Sequence, residues 1–109
     1  KMLHRISRQI SKVVKSSDEA VQGITSGSKL MIGGFGLCGV PENLLRAAHK
    51  LGLKNLHLIT NTSGTDNYGP GVLIRDKMVS KLQLSYLGGN LELERQYLNG
   101  EVEIDLVPQ

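Results

Sequence analysis

The chain has 109 residues, 39% hydrophobic and 21% charged, with one cysteine, four aromatic residues and a net charge of +3. That length suits one small α/β domain burying about 60–70% of its unfolded surface, and the lone cysteine excludes an intrachain disulfide and a cysteine-cluster metal site. The positive charge is confined to residues 1–15, which hold five Lys/Arg and no acid, while residues 16–109 hold eight Lys/Arg against ten Asp/Glu; with no basic cluster interleaved with aromatics, nucleic-acid recognition is not indicated.

Residues 1–15 combine Arg, Lys, His and Ser with Leu3, Ile6, Ile10, Val13 and Val14 at helical spacing. This is the composition of the end of a mitochondrial transit peptide, and a basic solvated arm or first helix explains it equally well. The sequence opens on lysine and stops at Pro108-Gln109 directly after a strand pattern, so a chain cut at both ends is expected. No apolar run approaches the roughly 18 residues of a membrane span, and a membrane partner is not expected.

Residues 16–109 read as a single α/β unit. Ser17 is expected to cap a short helix, with Asp18 and Glu19 at its positive end, Ala20, Val21 and Ile24 inside, and Gly27 as its stop. Residues 29–32 form a continuous apolar run after one lysine, as a strand covered on both faces would. Pro41 opens a helix over residues 41–51 with Leu44, Leu45, Ala47, Ala48 and Leu51 on one face, and Gly52 ends it. Residues 56–59 form a second strand running into eight small polar residues, 60–67.

After Gly69-Pro70-Gly71, the residues Val72, Leu73, Ile74, Met78 and Val79 predict a helix ending near Lys81, followed by a strand through Leu82, Leu84, Tyr86 and Leu87. Gly88-Gly89 turns into an amphipathic helix over residues 91–98, stopped by Asn99-Gly100. Val102, Ile104 and Leu106 then alternate with Glu103 and Asp105, as a half-exposed or edge strand does. Strands alternating with helices imply right-handed crossovers and an open, mostly parallel sheet with helices on both faces. Ligands of such sheets bind at the carboxyl ends of the strands. No internal repeat is visible.

One stretch dominates, residues 30–43: an apolar triplet, then Gly33-Gly34-Phe35-Gly36-Leu37-Cys38-Gly39, then Val40-Pro41-Glu42-Asn43. Gly34 to Gly39 match the G-x-G-x-x-G dinucleotide fingerprint. The confirming acid about 20 residues on is absent, since Thr60-Asn61-Thr62 stand there, and Pro41 departs from a helix start that presents N–H groups to a pyrophosphate. No Gly-Lys-Ser/Thr follows, which excludes a P-loop.

Read instead as Gly33-Gly34-Phe35, three residues, Gly39, one residue and Pro41, the stretch resembles the amino-terminal signature of the family I coenzyme A transferases. The resemblance runs from about Ser17 to Gln109. Asn61 with its small polar neighbours, Gly64-Thr65-Asp66-Asn67-Tyr68-Gly69, Glu94-Arg95-Gln96-Tyr97-Leu98 and Pro108-Gln109 support it. Ser26 before Gly27, where the family usually has Asp or Asn, departs from it at a turn.

The resemblance is nearest to the branch that moves CoA from succinyl-CoA to acetoacetate in ketone-body catabolism. It implies a mitochondrial-matrix enzyme, commonly a homodimer, that needs no resident cofactor because coenzyme A is itself a substrate. It implies a glutamyl-CoA thioester whose glutamate lies in a Glu-Asn-Gly motif of the carboxyl-terminal half. Neither Glu42-Asn43-Leu44 nor Asn99-Gly100-Glu101 is that motif, so the nucleophile is expected outside this chain, and the piece alone is expected to be inactive.

On the same basis Gln109 is the candidate catalytic residue, an oxyanion donor. Gly33, Gly34, Phe35, Gly36, Gly39 and Asn61 are the candidate lining, where glycine lets backbone approach a substrate closely. Without the family these residues read as a tight turn, a satisfied turn asparagine and an exposed strand-end glutamine. Thr62 stands where the family often has a second Asn. Glu42 reads as a carboxylate favoured by a helix amino terminus, Cys38 as a buried small apolar residue, and His49 and His57 lack the spaced partners of metal ligands. The competing readings are a transferase of other short-chain acyl specificity (acetate, butyrate) and a sugar-phosphate or nucleotide-sensing α/β domain.

Overall fold

A computed structural model describes residues 13–109; residues 1–12, most of the basic arm, lie outside the described residues. In chain order the elements are α1 (Ser17–Ala20), β1 (Lys29–Ile32), α2 (Glu42–Lys50), β2 (Leu56–Thr60), α3 (Gly71–Arg75), β3 (Val79–Leu84), α4 (Leu91–Leu98) and β4 (Glu103–Leu106). The four strands make one parallel sheet in the order β1-β2-β3-β4. The parallel α/β sheet therefore stands as the sequence implied, with β4 at an edge.

Register explains the core. Leu30, Leu58, Leu82 and Ile104 align across the four strands, and Lys29, His57, Lys81 and Glu103 align beside them on the other face. The apolar row is covered: Leu56, Leu58, Leu73, Ile74, Leu82 and Leu93 have no exposed surface. Sequential strand order with crossovers of one hand places α2, α3 and α4 on that same face. Where the sequence implied cover on both faces, the described residues cover one. β1 departs most from expectation, since it is an edge strand with alternating exposure and Met31 is 81% exposed.

Four boundaries shift for local reasons. Ser16, not Ser17, caps α1 by accepting from the Glu19 N–H at 3.1 Å, and the helix stops at Ala20. Pro41 is the residue before α2 rather than inside it. The helix expected to reach Lys81 ends at Arg75, because Lys77 turns to φ 59° and its N–H closes on Ile74 while the Met78 N–H closes on Leu73. Val79 is thereby freed to open β3, which ends at Leu84, leaving Tyr86 and Leu87 in the following loop. At the start of α4, Asn90 is fully buried, accepts from the Leu93 N–H and donates to the Ser63 carbonyl.

His49 on α2 hydrogen-bonds Asp76 just after α3. That bond, aided by the charge of Arg75 and opposed by desolvation, holds the Asp76 carboxyl below the usual carboxylate range. A carboxylate whose pKa is lower in the folded state adds stability above its unfolded value and loses it as pH falls through the folded one. Asp76→Asn is therefore expected to destabilise the protein at pH 6, with the difference from wild type closing toward pH 3. Urea midpoints at the two pH values check this, and a difference that stays constant would refute it.

Candidate functional site

Strand-to-helix loops gather beyond the carboxyl ends of a parallel sheet, which is where ligands of such sheets lie. Residues 33–41, 61–70 and 85–90 stand side by side there, with residues 107–109 leaving β4 next to them.

In the first loop Phe35 and Cys38 exchange two backbone hydrogen bonds of 2.8 and 2.9 Å, closing a hairpin over Gly36-Leu37. Gly36 has φ +61°, as the first central position of a II′-type turn requires. A Cβ on Gly34 (φ +120°) would lie 2.6 Å from Val40 Cγ2 and 3.1 Å from the Cys38 carbonyl oxygen. The hairpin stands off the sheet, so Phe35 is 66% exposed and Cys38, expected to be buried, is exposed.

The second loop repeats this design. Gly64 and Gly69, both at positive φ, flank a Thr65–Tyr68 bridge, and Pro70 follows Gly69 directly, where Pro41 stands two residues after Gly39. The two loops are stapled together. Thr62 Oγ1 donates to the Gly36 carbonyl at 3.3 Å, and the Gly69 N–H donates to Glu42 Oε1 at 2.6 Å. The Asn61 carbonyl accepts from the N–H groups of Ser85 and Tyr86, and the Glu92 N–H donates to Asp66 Oδ1, tying the second loop to the third and to α4.

Below these loops, on the uncovered face, a shallow groove crosses the strand ends. Gly33 and Asn61 line one part of it with Met31, Ile59 and Thr60. Ile59 and Thr60 continue into a second part bounded by Gln83, Ser85 and Pro108. Of the expected residues, the structure brings Gly33 and Asn61 together at one end of the groove; Pro108 bounds the other end, and Gln109, which follows it, lines neither part. Gly34, Phe35, Gly36 and Gly39 form the hairpin above β1. Gln109 is exposed with no hydrogen bond among the described residues, and Asn61 Oδ1 is buried with no partner.

Thr60, Gln83 and Ser85 were not among the expected lining. Gln83 alternates with buried Leu82 and Leu84, a period-2 signal that places it on the uncovered face. Ser85 Oγ donates to the Val107 carbonyl at 2.9 Å and so fixes the exit from β4. No carboxylate lines the groove, and among the described residues no group of His, Cys, Asp and Glu could hold a metal. No helix among them is long and apolar enough to cross a membrane.

A family profile described as coenzyme A transferase matches residues 14–109. The chain belongs to the coenzyme A transferase family. It is 45% identical over 100 residues to one subunit of the probable succinyl-CoA:3-ketoacid coenzyme A transferase of Bacillus subtilis, covering 92% of this chain and 42% of that protein. It is 45% identical over 91 residues to the mitochondrial succinyl-CoA:3-ketoacid coenzyme A transferase 2B of Mus musculus, covering 84% of this chain and 18% of that one. The chain thus spans less than half the length of these relatives. Among solved structures, an Escherichia coli O157:H7 acyl-CoA transferase in thioester complex with CoA superposes with a TM-score of 0.70 at 20% identity, over 86% of this chain and 20% of that one. The decarboxylase AibA/AibB superposes with a TM-score of 0.69 at 24% identity, over 84% and 37%. At those identities the likeness is one of fold, shared by a transferase and a decarboxylase, so fold alone does not select the chemistry.

Proposed function

We propose that this chain supplies one wall of the active site of a CoA-transferase that moves CoA from succinyl-CoA to acetoacetate. The observation that carries the reading is the groove on the uncovered face, with Gly33 and Asn61 at one end and Pro108, the residue before Gln109, at the other. The names of the relatives, bacterial and mitochondrial, favour the succinyl-CoA:3-ketoacid reaction over decarboxylation.

In this reading a glutamate outside the chain attacks the thioester carbonyl, giving a mixed anhydride and CoA thiolate. The thiolate then attacks the glutamyl carbonyl, releasing succinate and leaving a glutamyl-CoA thioester, and acetoacetate reverses the sequence to leave as acetoacetyl-CoA. Each acyl transfer passes through an oxyanion, to which the Gln109 side-chain amide donates. The four strands set β1 and β4 roughly 14 Å apart, so the glycine loop and Gln109 serve different parts of one extended substrate. Coenzyme A is a substrate, no resident cofactor is needed, and the rest of the enzyme completes the site within a homodimer in the mitochondrial matrix.

The full-length protein is expected to convert succinyl-CoA and acetoacetate to succinate and acetoacetyl-CoA with ping-pong kinetics, and to carry one CoA thioester by intact mass. Residues 1–109 alone are expected to be inactive. Absence of acetoacetyl-CoA from the full-length reaction refutes the reading, and preference for acetate or butyrate as acceptor redirects its specificity.

A further inference from the structure

We infer that Glu42 is a positioning residue: its carboxylate clasps the backbone of the second loop and thereby sets that loop's place against the glycine hairpin. The inference rests on the transferase reading for its kinetic consequence and on geometry alone for the clasp.

Glu42 is the first residue of α2, the point at which the first loop ends, and Gly69 is the point at which the second loop closes before α3. The 2.6 Å bond from the Gly69 N–H to Glu42 Oε1 joins them across 27 positions of sequence. A bond from backbone N–H to a carboxylate is charge-assisted and stronger than its neutral counterpart. Among the described residues Glu42 has no ion pair, so its acceptor capacity is directed to that amide.

The contact surface around the clasp is close-fitting. Gly69 has φ +66°, and a Cβ there would lie 3.4 Å from both Gly64 Cα and Leu37 Cδ2. The second fastening, Thr62 Oγ1 to the Gly36 carbonyl, lies at the opposite end of the loop near Asn61. With both in place the second loop is held at its start and its finish, and the Asn61 end of the groove is held with it. Glu42 itself lines neither part of the groove. A carboxylate placed there acts on the substrate through the loop it holds.

This assigns Glu42 a role a glutamine can largely fill, because an amide oxygen also accepts from an N–H. A nucleophile or a charged substrate contact could not be replaced so. In the full-length enzyme Glu42→Ala is expected to lower kcat/KM on the order of tenfold to a hundredfold, the scale of a misplaced binding wall, carried mainly by KM for succinyl-CoA. Glu42→Gln is expected to stay within about threefold of wild type, since the hydrogen bond is kept without its charge. Amide hydrogen exchange at Gly69 is expected to be slow in wild type and Gln and clearly faster in Ala. A Gln variant as impaired as Ala overturns the inference, as does an Ala variant with wild-type KM or unchanged exchange at Gly69. If the wild-type protein shows no transferase activity, the proposed function is what fails, and exchange at Gly69 in the three proteins still decides the clasp.

Discussion

Gln109→Ala in the full-length enzyme is expected to lower kcat by about 10² to 10³, the usual effect of removing one oxyanion donor. Within residues 13–109 the side chain is exposed and makes no hydrogen bond. In the proposed role of oxyanion donor, its amide donates to charge that develops only in the transition state. KM for succinyl-CoA should move little, because an interaction made in the transition state alone is lost from kcat and kcat/KM together. Gln109→Glu should do at least as much damage, since a carboxylate accepts where a donor is needed. Single-turnover rates of enzyme acylation by succinyl-CoA measure the effect. A rate within threefold of wild type would remove Gln109 from the chemistry.

Local periodicity carried most of the elements. The apolar face of α2 and the alternation in β4 are written in adjacent residues, and the alternation of strand with helix gave the parallel sheet. What depends on partners distant in sequence did not show. Leu30-Met31-Ile32 reads as a strand covered on both faces, but Met31 is exposed because the strand order puts β1 at an edge and the crossovers put their helices on one side. Val79 lies at helical spacing from the apolar residues before it. The turn that separates α3 from β3 is made by Lys77 at positive φ, for which lysine gives no cue.

The two loops share a backbone design but little more than Gly-x-x-x-x-Gly and a following proline, so the repeat passes unnoticed until the bridges are seen. Glu42 shows a more general difficulty. A carboxylate at a helix amino terminus always has a sufficient local explanation, and that hides a partner 27 residues away. At the site, Gly33 and Asn61 came from a family pattern, whereas Thr60, Gln83 and Ser85 reach the groove because β2 and β3 pair in register and end level with each other.

Gly71→Ala is expected to destabilise the protein by about 3 kcal/mol, at the upper end of what overpacking costs. Two effects compete at this position. Gly71 opens α3 without a positive φ, so alanine would by helix propensity alone gain roughly 0.5–1 kcal/mol. Against that, an added Cβ would overlap the carbonyl oxygen of Thr65 and lie 2.7 Å from its carbon and 3.1 Å from Asn90 Nδ2. Neither neighbour can yield cheaply. The Thr65 N–H is bonded to Tyr68, the next residue Asp66 accepts from the Glu92 N–H, and buried Asn90 is held by Ser63 and by its cap on Leu93. Relieving the clash means moving the second loop against α4, so sterics win. Gly23→Ala is the matched control, because nothing lies within 4 Å of its added Cβ; it should be neutral or slightly stabilising through the unfolded chain. Urea unfolding of the three proteins reads the contrast as a fall in midpoint for Gly71→Ala at unchanged m. A Gly71→Ala midpoint at or above that of wild type would mean the loop moves freely, and with it the wall of the groove that this loop forms.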